Sequence, residues 1–218
     1  MPKADAFDKD PLGYDGWYDK NSAAFASEVE AIRRLMPAKG PFIEVGVGTG
    51  RFASALGINI GVDPSAKMRE FARGRGIDAV DGVAENLPFM VNWFNCLLMV
   101  TVICFLDDIL AAFREAFRVV KPGGYIIVGF LDKTSPLGRE YASRSGKEGF
   151  FKDARLYSAQ EVAGYLTEAG FRELTFTQTL FKDLKEIKAA EPVKDGYGEG
   201  SFVAVRAKKE VQRDEEDR

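Results

Sequence analysis

Short, continuous apolar runs alternate along the chain with stretches in which apolar residues recur every three or four positions. The first pattern is typical of strands buried on both faces, and the second is typical of amphipathic helices. Strands are predicted at 42–46, 59–62, 77–80, 94–104 and 125–130, and helices at 22–36, 51–56, 65–75 and 108–120. Because strand and helix alternate, the sequence predicts an α/β fold: a doubly wound, mostly parallel sheet in three layers, α/β/α.

The pattern changes after residue 131. Residues 132–156 are polar and rich in glycine and basic residues, which predicts a loop and a short helix inserted over one end of the sheet. A capping-box pattern at Ser158 and Glu161 then opens a helix that is predicted to end at residue 169.

The C-terminal part predicts an antiparallel edge to the sheet. Strands are predicted at 173–181 and 200–207, and the long excursion 182–200 between them is either a lid or a plain edge connection. The last residues, 208–218, are almost all polar or charged and are predicted to form a disordered tail.

The amino-acid composition excludes several kinds of catalytic and metal site. The chain has no histidine, which excludes a Ser-His-Asp triad, histidine zinc sites and a histidine general base. If 94–104 is one strand, Cys96 and Cys104 lie about 26 Å apart at about 3.3 Å per residue, so reduced thiols are expected. The net charge of −3 and the lack of a long apolar run or signal-peptide core predict a cytoplasmic protein without nucleic-acid or membrane partners.

The strand at 42–46 runs directly into a turn with three glycines. Residues 44–50 read Glu-Val-Gly-Val-Gly-Thr-Gly. Glycines at alternate positions remove side chains where the backbone must approach a ligand, and Glu44 offers an acceptor for an ammonium or hydroxyl group. A dinucleotide fingerprint needs its third glycine at the position of Arg51. The spacing therefore favours a zwitterionic or cationic ligand over a pyrophosphate, with an incidental glycine-rich turn as the alternative.

Asp63, directly after the strand 59–62, is the next candidate. A carboxylate at the carboxyl end of that strand can accept hydrogen bonds from both hydroxyls of a ribose. It can also cap the helix 65–75, because Asp63-Pro64-Ser65 is a favourable helix opening. The two roles are compatible, and the glycine turn upstream favours the nucleoside ligand.

Five segments in order carry a resemblance to a known family. They are 44–50, Val62-Asp63-Pro64-Ser65 with Met68, Ala84-Glu85-Asn86-Leu87-Pro88-Phe89, the apolar run 94–104, and Lys121-Pro122-Gly123-Gly124. With these the chain resembles class I S-adenosylmethionine-dependent methyltransferases of the small-molecule, ubiquinone-biosynthesis-like kind (methyltransferase type 11). The resemblance implies S-adenosylmethionine as cofactor, a small-molecule methyl acceptor, no metal, and a seven-stranded sheet with an antiparallel last strand.

The resemblance also implies roles for the matching positions. The glycines would pass close to the methionine and ribose parts of the cofactor, and Glu44 would meet its amino end directly or through water. Asp63 would hold the ribose hydroxyls, and Ala84 would offer its backbone N–H to the adenine beside Glu85. The implied cofactor-binding residues are Glu44, Gly46, Val47, Gly48, Gly50, Asp63, Pro64, Met68, Ala84, Glu85, Met99, Val100 and Thr101.

Three positions depart from the family pattern. Val83 stands where relatives often have an aspartate for the adenine amino group, and Phe94-Asn95 replaces the usual Phe-Asp opening of the fourth strand. Cys104-Phe105 stands where many relatives carry His-His. These departures weaken the adenine contact and remove a common substrate-facing group, so they leave the acceptor open.

The implied reaction suits a chain without histidine. Methyl transfer from a sulfonium is an in-line displacement, which mainly needs alignment and exclusion of water. If a general base is needed, Glu85, Tyr141 and Tyr157 are candidates. The alternatives are a non-catalytic module that binds S-adenosylmethionine or S-adenosylhomocysteine, and a nicotinamide-dependent oxidoreductase, which Arg51 and Glu44 argue against. A monomer or a homodimer is expected.

The N-terminal segment 1–38 is predicted to be a helical lid or cap over the cofactor-binding core, 39–130. Tyr14, Trp17 and Tyr18 would place rings over the sulfonium, where cation–π attraction is about 0.5–2 kcal/mol. Alternatively, these rings only staple the segment to the domain. One domain, 1–207, would then also contain the insertion 131–157 and the C-terminal part 158–207.

Overall fold

A twisted β-sheet runs through the middle of the molecule in the computed structural model, which describes residues 5–144 and 154–211. Its strands are β1 Phe42–Val45, β2 Ile60–Val62, β3 Asp78–Val80, β4 Phe94–Val100, β5 Val120–Leu131, β6 Arg172–Thr179, β7 Lys194–Asp195 and β8 Phe202–Lys208. The order is β3-β2-β1-β4-β5-β8-β6-β7, with β1 to β5 parallel and β8 antiparallel to both β5 and β6. The predicted mostly parallel sheet with an antiparallel edge is confirmed, and the two-residue β7 adds to the seven predicted strands.

Helices cover both faces of the sheet. They are α1 Asp5–Lys9, α2 Pro11–Lys20, α3 Ser22–Arg33, α4 Arg51–Leu56, α5 Ala66–Gly74, α6 Ile109–Val119, α7 Pro136–Arg144 and α8 Ala159–Glu168. Along β4, Leu97 and Met99 face the core under α6 and α8, whereas Cys96 and Leu98 face the core under α3 and α4. This burial on both faces explains why the strand reads as a continuous apolar run.

The predicted end of β4 is wrong. The strand stops at Val100, Thr101 has a positive φ of 53°, and a 3₁₀ helix spans Ile103–Phe105. The prediction to residue 104 fails because the turn after the strand is itself apolar and largely buried, so hydropathy does not mark the strand end. Cys104 therefore does not share a strand with Cys96, although both thiols are free and buried.

The predicted start of the next strand at residue 125 is also wrong. Helix α6 ends at Val119 and β5 begins at the following residue, Val120. The glycines at 123 and 124 do not separate helix from strand; they lie within β5, opposite a shift in register between Phe94 and Cys96 of β4. Elsewhere, predicted and observed ends differ by a few residues at most.

The excursion 182–200 is an edge connection. It contributes β7 to the sheet and packs on α3, where the Glu191 N–H donates to Ser27 Oγ (2.8 Å) and Arg34 Nη1 donates to the Val193 carbonyl (2.9 Å). The capping box at Ser158 and Glu161 is present. Residues 145–153 of the predicted insertion and 212–218 of the predicted tail lie outside the described residues. Within the described part of the chain, no helix combines the length and apolarity needed to cross a membrane.

Candidate active site

A cavity of about 350 Å³ lies at the carboxyl ends of β1, β2 and β4. This is the point where the strand order reverses, which is the usual ligand site of a doubly wound sheet, and the volume suits a small molecule. Nine of the thirteen predicted site residues line it: Gly46, Gly48, Asp63, Pro64, Met68, Ala84, Glu85, Val100 and Thr101. The sequence thus located most of one wall of the cavity.

Two glycines of the turn after β1 are needed for different reasons. Gly46 has φ of +71°, and a Cβ at this position would lie 2.3 Å from Val102 Cγ2, so the turn closes against the chain that follows β4. Gly48 has φ of +52°, and a Cβ there would point at the Tyr14 ring, 3.6 Å from its Cε1. The first glycine therefore permits close packing, and the second leaves room between the turn and the ring above it.

Asp63 joins the turn to the second strand. Its Oδ2 accepts a hydrogen bond from the Gly48 N–H (2.8 Å), and its Oδ1 accepts one from the Ser65 N–H (2.9 Å). The side chain is 8% exposed, and burial raises the pKa of the carboxyl to about 6, although these two N–H groups act in the opposite direction. A carboxylate has about four acceptor positions, so Asp63 keeps capacity for hydroxyl groups of a ligand. Ser65 also caps α5 by accepting from the Met68 N–H.

Glu44 lies beneath the turn and not in the cavity wall. Its side chain is 2% exposed, and Oε2 has no hydrogen-bond partner among the described residues. Burial raises the pKa of this carboxyl well above its ordinary value, while a backbone hydrogen bond from Ala53 acts in the opposite direction. A buried carboxyl oxygen without a hydrogen-bond partner is costly, so we expect Glu44 Oε2 to meet a polar group when the site is filled. Its contact with a ligand stays a prediction.

The other three predicted residues outside the wall support it from behind. The Val47 side chain fills the space above Gly61, where an added Cβ would lie 2.7 Å from Val47 Cβ. Gly50 packs on α5, where an added Cβ would lie 3.1 Å from Ala72 Cα. Met99 is fully buried in the core under α6. Their predicted contacts with a ligand are therefore not direct wall contacts.

Helices α1 and α2 form the roof of the cavity. Phe7 of α1 contacts Tyr14 of α2 and Phe105 edge-to-face, with ring centroids 5.4 and 5.0 Å apart. The Tyr14 hydroxyl lies 2.9 Å from the Tyr18 hydroxyl and also hydrogen-bonds the Thr101 side chain. The far end of α1 is held by a hydrogen bond from Ser65 Oγ to Asp8 Oδ1. Phe7 and Tyr14 thus close the space above the turn.

The predicted aromatic cluster divides between lining and anchoring. Tyr14 lines the cavity, whereas Trp17 and Tyr18 do not. Tyr18 is 6% exposed and its ring packs edge-to-face on Phe25 and Phe52. Tyr18 therefore anchors α2 to the domain, and Tyr14 is the ring of the three that can contact a ligand in the cavity. A contact between Tyr14 and a sulfonium stays a prediction.

Comparison with known proteins decides the family. A methyltransferase domain model matches residues 43–128. The crystal structure of a SAM-dependent methyltransferase of Thermotoga maritima, described as a possible histamine N-methyltransferase, is 46% identical, with a TM-score of 0.93 over 95% of this chain and 100% of that one. The chain belongs to the S-adenosylmethionine-dependent methyltransferases. This confirms the resemblance.

Two further relatives show how widely the sequence pattern extends. An uncharacterized protein of Methanocaldococcus jannaschii is 45% identical over 93% of this chain and 98% of its own length. A ubiquinone/menaquinone biosynthesis C-methyltransferase of Photorhabdus laumondii is 31% identical over 51% of this chain and 52% of its own length. The ubiquinone-type similarity thus spans about half of each chain, whereas the first relative matches almost throughout.

The cavity of this methyltransferase is also lined by residues that were not among the predicted cofactor-binding or lid residues. They are Phe7, Val45, Ser65, Gly82, Val83, Val102, Phe105, Leu106 and Asp107. Val83 and Phe105 were noted in the sequence only as departures from the family pattern. Four of them, Val102, Phe105, Leu106 and Asp107, belong to the turn after β4. Residue 102 was predicted to lie in the strand, and residues 105–107 were assigned to no element. A run of apolar residues longer than a typical strand of five to six was the available signal that the strand ends early. Nothing in the sequence around Phe7, apart from its aromatic side chain, indicated that this residue lines the cavity.

The candidate general bases occupy different places. Glu85 lines the cavity, and its Oε1 accepts hydrogen bonds from the N–H groups of Asp107 (3.0 Å) and Asp108 (3.3 Å), just before α6. Tyr157 is buried beside Cys104 in a separate, much smaller cavity, and burial raises its pKa. Tyr141 lies on α7 and does not line the main cavity. Of the three, Glu85 alone lines the main cavity.

The charge of the cavity wall suits a cationic ligand. Its ionisable side chains among the described residues, tyrosine aside, are Asp63, Glu85 and Asp107, and no lysine or arginine lines it. Across residues 5–144 and 154–211, no group of three or more His, Cys, Asp or Glu side chains is arranged to hold a metal ion. The buried Asp63 carboxyl, the unpaired Glu44 oxygen and the space left by Gly48 fit S-adenosylmethionine, the cofactor of the family.

Proposed function

We propose that the protein transfers the methyl group of S-adenosylmethionine to a small-molecule acceptor and that the cavity between β1, β2 and β4 binds this cofactor. The observation that carries the proposal is the position of Asp63. Its carboxylate is held at the carboxyl end of β2 by the Gly48 and Ser65 N–H groups, with acceptor capacity left in the cavity. This is the arrangement expected for binding a ribose through both hydroxyls.

The neighbouring residues define the remainder of the proposed site. Pro64, Met68, Ala84 and Glu85 would surround the adenine, with the Ala84 backbone as donor. Gly46, Gly48, Val100 and Thr101 would surround the methionine part. Val47, Gly50 and Met99 would fix the wall from behind, and Glu44 would meet the amino group through water, because its carboxyl does not line the cavity.

The residues of this chain would act by binding, orientation and exclusion of water. When bound, the cofactor supplies a methyl group activated by a positively charged sulfur. Phe7 and Tyr14 close the roof and keep water away, and Thr101 holds the Tyr14 hydroxyl in place. Alignment and desolvation supply most of what an in-line displacement requires, so no acid–base pair is built into the proposal.

The acceptor is proposed to be a small molecule. The Thermotoga relative is described as a possible histamine N-methyltransferase, and the Photorhabdus relative is a C-methyltransferase of quinone biosynthesis. We therefore propose amines and quinol-type rings as the first acceptors to assay. The free, buried Cys96 and Cys104 support a cytoplasmic location. The division into an N-terminal helical lid or cap (1–38), a cofactor-binding core (39–130), an insertion (131–157) and a C-terminal part (158–207) stays part of this proposal.

Isothermal titration calorimetry tests the cofactor assignment. We expect S-adenosylhomocysteine to bind with one-to-one stoichiometry and NAD to show no heat of binding, because the turn carries Arg51 where a dinucleotide site needs glycine. Binding of NAD without binding of S-adenosylhomocysteine would overturn the proposal.

A further inference from the structure

A cluster of four charged side chains joins the roof to the turn beneath it. The Asp15 carboxylate of α2 accepts from Arg51 Nε (3.0 Å) and Nη2 (2.6 Å) and from Arg75 Nη2 (2.8 Å). Arg51 Nη1 also pairs with Asp19 at 2.8 Å. We call these residues, Asp15, Asp19, Arg51 and Arg75, the Asp15 cluster.

The two arginines belong to the proposed cofactor-binding half of the molecule. Arg51 is the first residue of α4, directly after the glycine turn, and Arg75 follows α5 and donates to the Thr49 carbonyl within the turn (2.7 Å). Both ion pairs therefore cross from the roof to the turn. Arg51 stands at the position where a dinucleotide fingerprint has its third glycine. In this structure its side chain pairs with both Asp15 and Asp19 of α2.

The Asp15 pairs are of the strong kind. Arg51 binds the carboxylate with two parallel hydrogen bonds, and the Asp15 side chain is only 13% exposed. Burial alone would raise the pKa of Asp15, but the hydrogen bonds from Arg51 and Arg75 hold it below its ordinary value. Two-pronged, partly buried arginine–carboxylate pairs fix geometry as well as adding attraction. The Asp19 side chain, 68% exposed, is the weaker member.

Asp15 directly follows Tyr14, a residue that lines the cavity, so the cluster can fix the position of the Tyr14 ring. The preceding residue, Tyr14, lies over Gly48 and hydrogen-bonds Thr101. We propose that Asp15 is a positioning residue for methyl transfer: paired with Arg51 and Arg75, it holds Tyr14 over the glycine turn and keeps the roof closed on bound cofactor. This proposal rests on the proposed function. It predicts that the pairs must separate each time cofactor or product exchanges.

Trp17 provides a reporter for the roof. The chain has two tryptophans, and the other, Trp93, precedes β4 at the opposite end of the sheet. In a Trp93→Phe background, Trp17 emission follows α2 alone, and stopped-flow displacement of S-adenosylhomocysteine gives its dissociation rate. We expect Asp15→Asn to raise this rate at least tenfold.

The control is Glu30→Gln. Glu30 also faces two arginines, Arg33 at 3.8 Å and Arg34 at 3.5 Å, but these side chains, on α3 and directly after it, are half-exposed. Its dissociation rate should stay within twofold of the parent. Arg75→Gln, which leaves the Arg51 pair intact, should raise the rate less than Asp15→Asn. The double variant Asp15→Asn/Arg75→Gln should release S-adenosylhomocysteine no faster than Asp15→Asn alone, because both changes remove the same ion pair.

Hydrogen exchange in the ligand-free protein makes the test independent of the cofactor. Asp15→Asn should speed exchange of the α2 amides at least tenfold, whereas Glu30→Gln should not. If exchange in α2 and the dissociation rate both match the Glu30→Gln control, the cluster is only a structural anchor and the inference is wrong. If the parent protein does not bind S-adenosylhomocysteine, the proposed function fails, and exchange of α2 still decides whether Asp15 holds the roof. Should Asp15→Asn not fold, Arg75→Gln decides both measurements.

Discussion

The floor and the roof of the cavity are built in different ways. The floor, consisting of residues 46–50 and 63–65, is mainly backbone: glycines at positive φ and N–H groups that donate to Asp63. The roof, α1 and α2, is held by side chains: the rings of Phe7 and Tyr14 and the Asp15 cluster. Backbone geometry admits few substitutions, whereas side-chain contacts can separate and re-form. The difference suits a floor that shapes the ligand site and a roof that opens.

The largest expected effect is on the floor. Gly46→Ala adds a Cβ 2.3 Å from Val102 Cγ2 at φ of +71°. Strain and overpacking together predict a loss of about 2–4 kcal/mol in the free energy of unfolding. Because the turn must shift, we also expect binding of S-adenosylhomocysteine to fall more than 100-fold. Urea unfolding and calorimetry measure the two quantities.

Gly57→Ala is the matched control for this change. Gly57 has almost the same φ, +72°, but no atom lies within 4 Å of an added Cβ. It should therefore show only the backbone strain, about 1–2 kcal/mol, with unchanged ligand affinity. Equal effects of the two variants on affinity would mean that the close approach of the turn to Val102 does not shape the site.

The second effect concerns the carboxylate between the floor and the ligand. Asp63→Ala should weaken binding of S-adenosylhomocysteine by about 1–3 kcal/mol, through the loss of charged hydrogen bonds to the ribose. Asp63→Asn keeps only one of the two acceptor oxygens, so it retains the hydrogen bond from either the Gly48 N–H or the Ser65 N–H and loses the other. It should therefore weaken binding less than Asp63→Ala. If Asp63→Ala binds S-adenosylhomocysteine as tightly as the parent does, Asp63 does not contact the ligand and only connects the Gly48 and Ser65 N–H groups.

The pKa of Asp63 adds a pH signature to this prediction. Burial raises it to about 6, so the carboxyl becomes protonated as the pH falls below that value. A protonated carboxyl cannot accept from both hydroxyls, and affinity should then fall by up to about tenfold per pH unit below 6 and stay level above 7. Asp63→Asn should be flat over the same range. A parent protein with no pH dependence of affinity between pH 5 and 7 would contradict the raised pKa of Asp63.

The same contrast explains what the sequence could predict. Glycine spacing, the acid after β2 and the other segments of the family resemblance are local in sequence, and together they located nine wall residues. The alternation of strand and helix predicted the mostly parallel sheet with its antiparallel edge. The turn 101–107 was missed because its apolar residues are buried against the core, as a strand would be. The Asp15 cluster was missed because its ion-paired members are 32 to 60 residues apart and meet only when α2 folds back over the turn. Arg51 was recognised as a departure from one motif, but its partner lies in a segment without periodic pattern.

The smallest expected effect is on the roof. Tyr14→Phe keeps the ring over Gly48 but removes the hydroxyl that lies 2.9 Å from Tyr18 and bonds Thr101. We expect less than a threefold change in affinity for S-adenosylhomocysteine and a loss of about 0.5–1.5 kcal/mol in the free energy of unfolding, because the buried Tyr18 hydroxyl loses a partner. Tyr14→Ala, which removes the ring as well, should weaken binding more. If Tyr14→Phe weakens binding as much as Asp63→Ala does, the Tyr14 hydroxyl forms a hydrogen bond to the ligand. The roof would then recognise the ligand through a polar contact, as the floor does.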